Sequence, residues 1–274
     1  MDLYFEMYSG IAGDMTIGAL LDLGASKEKL IKAIESLNIK GYELVFDRVN
    51  KKGICAYNFD VILEDELSKD HDHNHECDLD HDHHHGHHHD HDHCHHHLHR
   101  NISDIEKIIS SSDLLSDRVK KDALGIFNII AEAEAKAHGI DKKEVHFHEV
   151  GAIDSIIDVL GVCVLLEDLE VDNIYFSKLF EGCGMQKCAH GYMPIPVPAV
   201  VNILEGSDIS INIVDDYGEH VTPTGAAIVR YFSKGESLSE FTIKKIGLGA
   251  GNKDFEKSAN ILRVMEIENP KKKA

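Results

Sequence analysis

The chain has 274 residues, a formal net charge of −20, 43% apolar residues, 21 histidines, six cysteines and no tryptophan. That acidic balance excludes an electrostatic grip on nucleic acid or on anionic lipid. Its longest apolar run, Val159–Leu166, falls well short of the ~20 residues of a membrane span.

Leu3, Phe5 and Met7 alternate as in a strand, and Ser9-Gly10-Ile11-Ala12-Gly13-Asp14 reads as a turn. Met15 to Leu23 is predicted helical and ended by Gly24. Ser26 caps a second helix, Lys27 to Leu37. Tyr42 to Val49 and Ile54 to Leu63 read as paired strands around Lys51-Lys52-Gly53. After residue 100, helices are predicted over Ile102–Ser110, Asp117–Ala137 and Ala152–Leu169, then a short strand over Asn173–Phe176. Pro196 and Pro198 open a helix that Gly206 stops, Ile209 to Val214 alternates as a strand, and Thr222-Pro223-Thr224 starts a helix. Phe241–Ile246 and Ile261–Ile267 are predicted as closing strands around a glycine turn. The interleaving gives an α+β fold of mixed α/β layers. Residues 1–69 and 101–269 are expected to form one domain, interrupted by 70–100 and followed by a tail, 270–274.

Sixteen of the 21 histidines lie between His71 and His99, among seven acids and two cysteines. Leu79 and Leu98 are the only aliphatic side chains there. Such a segment buries too little apolar surface to offset its ordering entropy, so it is expected to be a disordered His/Asp-rich insert. Runs such as His83-His84-His85 and His87-His88-His89 offer overlapping ligand sets for zinc, nickel, copper or cobalt. A solvated linker is the plainer alternative.

Four further motifs carry chemistry. Ser9, Gly10, Gly13 and Asp14 form a glycine turn into a helix, suited to an anion; Asp14 could instead cap that helix or hold a cation. In Val145–Asp158, His146 and His148 share a side if extended, and Asp154 and Asp158 share a helix face. They make a plausible metal shell, or a general base with Glu149; acids in an early helical turn are the bland alternative. Glu181–Pro196, dense in glycine and proline, reads as an ordered loop in which Cys188 and His190 could ligate a soft metal or present a nucleophile; a structural turn with one buried cysteine is the plainer alternative. Thr222, Thr224 and Gly225 mark a helix start suited to an anion, and Gly247–Asp254 reads as a glycine hairpin between strands, with a ligand loop as the alternative.

Together these segments resemble the LarC family. They are S-G-I-A-G-D-M (Ser9–Met15) with G-A-L-L-D-L-G (Gly18–Gly24), and H-F-H-E-V-G-A-I-D-S-I-I-D (His146–Asp158). C-A-H-G-Y-M-P-I-P-V-P-A (Cys188–Ala199), T-P-T-G-A-A (Thr222–Ala227) and G-L-G-A-G-N-K-D (Gly247–Asp254) follow in the family's order. The resemblance implies a nickel chelatase. It would place Ni(II) into pyridinium-3,5-bisthiocarboxylic acid mononucleotide, completing the nickel-pincer cofactor of lactate racemase-type enzymes. It further implies CTP with Mn(II) or Mg(II), a cytoplasmic location and a homo-oligomer, with no nucleic-acid or membrane partner. Family members run on past the last matching motif, and CTP binding is associated with that C-terminal portion, expected as a partner chain or as a continuation through a frame slip at Lys271–Lys273. The His-rich run would collect nickel. A better-defined site would receive it, with His146, His148, Glu149 and Asp154 as its first candidates and Asp158, Cys188 and His190 as further metal ligands; His148 or Glu149 would take a ring proton. The alternatives are a nickel or zinc storage protein or metallochaperone without catalysis, and a metal-dependent phosphohydrolase.

Overall fold

Strand β1 (Asp2–Glu6) buries Leu3 and Phe5 on one face and turns Asp2, Tyr4 and Glu6 to the other, the period-two pattern of a strand. The structure, a computed structural model, describes residues 1–63, 100–145, 147, 153–188, 191–236 and 238–269. The expected insert as far as residue 99, including His83, His84, His85, His87, His88 and His89, and the tail 270–274 lie outside the described residues; Arg100 is described and forms a bridge with Phe147. So do His146, His148, Glu149 and His190.

Two helices follow β1, α1 (Gly13–Leu23) and α2 (Lys27–Glu35). The long hairpin β2 (Tyr42–Lys51) and β3 (Ile54–Leu63) comes next. Its turn places Lys52 and Gly53 at φ 51° and 89°, the left-handed pair that a tight hairpin needs. Beyond the insert come α3 (Ile102–Ser110), α4 (Asp117–His138) and α5 (Ile153–Asp168). Asn101 and Ser116 cap the first two of these with side-chain bonds to Asp104 N and Val119 N. Strands β4 (Asn173–Phe176), β5 (Leu179–Cys183), β6 (Met185–Cys188) and β7 (Gly191–Pro194) lead to α6 (Pro198–Leu204). The chain closes with β8 (Ile211–Tyr217), α7 (Pro223–Phe232), β9 (Thr242–Ala250) and β10 (Ile261–Glu268).

The main sheet has the order β2-β3-β9-β10-β1-β4, with β1 antiparallel to β10 and parallel to β4. Phe59 before the insert and Ile105 after it belong to one hydrophobic core with Leu3, Leu20 and Leu160. The observed architecture is the expected α+β one. No helix among the described residues is long and apolar enough to cross a membrane.

Two expectations change. Gly247 and Gly249 are not a hairpin turn but lie inside β9. A methyl group at Gly249 would stand 1.8 Å from the Met15 carbonyl oxygen, and one at Gly247 would stand 2.1 Å from that of Ala19. The missing side chains let α1 lie directly on the sheet. Likewise, the stretch from Glu181 to Pro196 is largely strand. Gly184 and Gly191, both at φ 101°, supply the bends around β6 and β7, which pair antiparallel.

Candidate functional site

The first turn of α1 gathers carboxylates. Its N-cap, Ala12, offers no side-chain bond, so the positive end of the helix is open to acids. Asp14 Oδ1 accepts the Met15 N–H at 2.7 Å. Asp158, on α5, packs onto Gly13, where a methyl group would lie 2.7 Å from its Oδ2. Asp154 stands one turn earlier on α5, and Asp60 of β3 adds to the field. Burial raises the Asp14 pKa to about 7; the Met15 amide opposes this, and Asp60 and Asp154 reinforce it. Burial also pushes Asp158 well above the carboxylate range, helped by Asp14, Asp154 and Asp60. Ionising Asp14 and Asp158 together is costly here unless a cation joins them. They are neighbours rather than a closed ligand set. Among the described residues, no three His, Cys, Asp or Glu side chains form a metal-holding group.

Beside them, two glycine motifs are laced together. Ile11 N donates to His220 O at 3.0 Å, and Thr222 N to Ile11 O at 3.1 Å. Gly10, at φ 83°, would clash with the His220 carbonyl if it bore a methyl, and Gly225 with that of Ile11. Thr222 Oγ1 caps α7 by accepting Gly225 N at 3.1 Å and bonds Thr224 Oγ1 at 2.8 Å. Glu181, fully buried on β5, holds this junction. Its Oε1 accepts N–H groups from His220 at 2.7 Å, Gly182 at 2.8 Å and Val221 at 3.2 Å. Burial lifts its pKa to about 7 against the pull of those amides. His220 is buried, stacked on Phe255 at 3.8 Å, with Nε2 3.9 Å from Asp216 Oδ2. Burial lowers its pKa, and Asp216 opposes that. Neither His220 ring nitrogen, nor Glu181 Oε2, has a hydrogen-bond partner among the described residues.

Next to the junction is a cavity of about 370 Å³ between the end of α4, the β6–β7 hairpin and the starts of α6 and α7. Glu219 and Pro223, which flank His220 and Thr222, line it, so the laced segment reaches from the carboxylates to the cavity. Cys188 lies on its wall with His138 and Glu134, whose side chains approach to 3.5 Å.

The model of the family described as "Nickel insertion protein" matches residues 3–274. The chain belongs to this family. It is 50% identical over 268 residues to the pyridinium-3,5-bisthiocarboxylic acid mononucleotide nickel insertion protein of Alkaliphilus metalliredigens, covering 97% of this chain and 60% of that protein. Proteins of the same name from Clostridium acetobutylicum and Geobacillus kaustophilus are 46% and 41% identical, each over 96% of this chain and 63% and 59% of their own length. The chain therefore spans about 60% of these relatives. No solved structure matches it.

In this nickel insertion family member, Asp14 from the first motif meets Asp154 and Asp158 from the second. Ser9, Gly10 and Gly13 lead into that cluster, and Thr222, Thr224 and Gly225 sit across the junction. Cys188 stands apart from the acids, on the cavity. Sequence reasoning gave no site role to Asp60, Glu181 or His220. Asp60 belongs to an ordinary strand and carries no motif. Glu181 did leave a signal: it shares the inward parity of Leu179 on β5, where an acid is out of place unless bonded.

Proposed function

We propose that this chain performs the nickel-handling part of nickel insertion into pyridinium-3,5-bisthiocarboxylic acid mononucleotide, completing the nickel-pincer cofactor of lactate racemase-type enzymes. Ni(II) is the cargo. It forms carbon–nickel and sulfur–nickel bonds as the ring carbon loses its proton. The observation that carries the reading is the meeting of Asp14 with Asp154 and Asp158, from two separate motifs, in a chain whose relatives are named for this insertion.

In this reading the carboxylates hold the incoming ion together with His146 and His148, since imidazole suits nickel better than oxygen alone. Cys188 and His190 offer further soft donors. His148 or Glu149 takes the ring proton. Asp14, poised at about 7, is a third group matched to that task. The chain's own Asp158 lies against the start of α1, so the start of α7, at Thr222, Thr224 and Gly225, is the better seat for the nucleotide phosphate. The His-rich run supplies nickel. A cytoplasmic location and a homo-oligomer accompany the reading.

CTP belongs to the part of the relatives that this chain does not cover. The cavity's described lining sets Glu134 and Glu219 beside Lys187, which does not suit a triphosphate. One observation favours a second assignment for the acids. Every described donor in the cluster is a carboxylate oxygen, which suits Mn(II) or Mg(II). Lyase-type insertion is tested by supplying the mononucleotide, nickel and CTP, with and without the remaining portion of a relative. Mass spectrometry is expected to find the nickelated product. No product with a competent partner present overturns the reading and leaves a storage protein or metallochaperone.

A further inference from the structure

The cavity of about 370 Å³ plays no part in holding the carboxylate cluster. Its size falls in the range of small-molecule sites, which starts near ~300 Å³. Met193, Val197, Pro198 and Pro223 make its walls apolar and, at the two prolines, rigid. Charges of both signs stand around it. Lys187 is on one side, and Glu134, near His138, and Glu219, 3.2 Å from the Lys253 ammonium, are on the others. An apolar slot with balanced charges suits a flat zwitterion better than a polyanion. Cys188 and His138, the soft donors described around it, also face this space.

We propose that this cavity seats the ring of a pyridinium mononucleotide, with its cationic nitrogen toward Glu134 and an anionic ring substituent toward Lys187. The inference rests on the insertion reading above and extends it by separating two places. The metal arrives at the acids of α1 and α5, while the ring lies between α4 and the β6–β7 hairpin. The 219–225 segment, which is hydrogen-bonded to Ile11 just ahead of α1 and lines the cavity at Glu219 and Pro223, links the two places.

The test uses the full chain and, as probe, pyridinium-3-carboxylic acid mononucleotide, which carries the ring and ribose phosphate without sulfur. Calorimetry measures its binding to the wild type, to Ala137→Trp and to Ala137→Phe. Ala137 lines the cavity but is exposed, so a large side chain there fills the space at little cost to the fold. Binding is expected to weaken at least about tenfold in both variants. Bound probe is also expected to slow alkylation of Cys188 and not of the exposed Cys55, read by peptide mass spectrometry. Absence of binding, or equal binding in the filled variants, overturns the placement. The insertion reading fails separately: nickelated product formed without any effect of Ala137→Trp removes the ring site alone. Probe binding that Ala137→Trp blocks, with no nickelated product, removes insertion alone.

Discussion

Glu181 Oε1 accepts the backbone N–H of His220 at 2.7 Å, so a buried carboxylate on β5 fixes the segment that joins the acid cluster to the cavity. The same oxygen takes two further amides, from Gly182 and Val221. Removing it leaves three buried donors without their acceptor. Glu181→Ala is expected to lose about 2–4 kcal/mol of stability. In a thermal melt that is a drop of roughly 5–15 °C for a chain of this size. A melt unchanged from wild type would show that the junction does not depend on this side chain.

The pH dependence of the same residue has a definite sign. Its folded pKa, about 7, stands above the ordinary value of 4.5. Between those values the folded chain holds a proton that the unfolded chain has released. Stability from this group is therefore greatest below the unfolded value and falls as pH rises through about 7, by roughly 3 kcal/mol in all. Glu181→Gln keeps the accepting oxygen and cannot ionise. The difference in unfolding free energy between variant and wild type is expected to move toward the variant as pH rises. Taking the difference removes the parallel contribution of Asp14. Urea titrations on either side of neutrality measure it, and parallel pH curves for the two proteins would rule the assignment out.

Gly249 makes a prediction about the fold. Its Cα faces the Met15 carbonyl so closely that a methyl group would sit 1.8 Å from the oxygen. Backbone cannot rotate away as a side chain can, so α1 must shift. Gly249→Ala is expected to cost about 1–3 kcal/mol and to weaken metal binding at Asp14, because α1 carries that residue. Gly53→Ala, at a hairpin tip with nothing nearby, is expected to destabilise through its backbone angle while leaving metal binding intact. Equal metal affinity in the two variants would disconnect the helix–sheet fit from the site.

Local signals account for most of what could be read ahead of the fold. Thr222 and Pro223 announce the start of α7 because a cap and a fixed φ act within one turn. Ser26 does so for α2. Asp154 and Asp158 could be placed on one face because their spacing is that of one helical turn. Their meeting with Asp14 could not be derived from spacing, since it depends on how α1 crosses α5. Gly247 and Gly249 misled for a related reason. A glycine in a turn and one beneath a packed helix look alike in sequence, and only α1 on the sheet tells them apart. Asp60 lies on β3 with no marker, and its bearing on Asp14 appears only when strand and helix are assembled.

The His-rich run between His71 and His99 carries a prediction from composition. Imidazoles release metal when they protonate near pH ~6.5. Bound nickel per chain is expected to fall steeply on mild acidification. Deleting residues 71–99 is expected to remove most of that stoichiometry while insertion persists at high nickel. Equilibrium dialysis reads the first and product formation the second. Insertion lost even at saturating nickel would mean that the run takes part in the chemistry.

Asp158 sets stability against function. Without a cation, its carboxylate faces Asp14, Asp154 and Asp60 in a half-buried site, which is why its pKa stands well above the ordinary range. Asp158→Asn removes an ionisable group whose charged form is unwelcome there and keeps the shape. Above neutral pH the metal-free variant is expected to be more stable than wild type, by about 1–2 kcal/mol. Nickel and manganese binding should weaken in the same variant, at least about tenfold, because a neutral amide is a poorer donor to a divalent ion. Gly13→Ala approaches the cluster from the other side. Its methyl group would press on the Asp158 carboxylate at 2.7 Å without changing any charge, so it should weaken the metal and not raise stability. The two variants separate charge from geometry. Calorimetric metal titrations together with melts of the metal-free proteins decide between them. A destabilised Asp158→Asn that still binds metal normally would make Asp158 a packing residue and move the metal elsewhere.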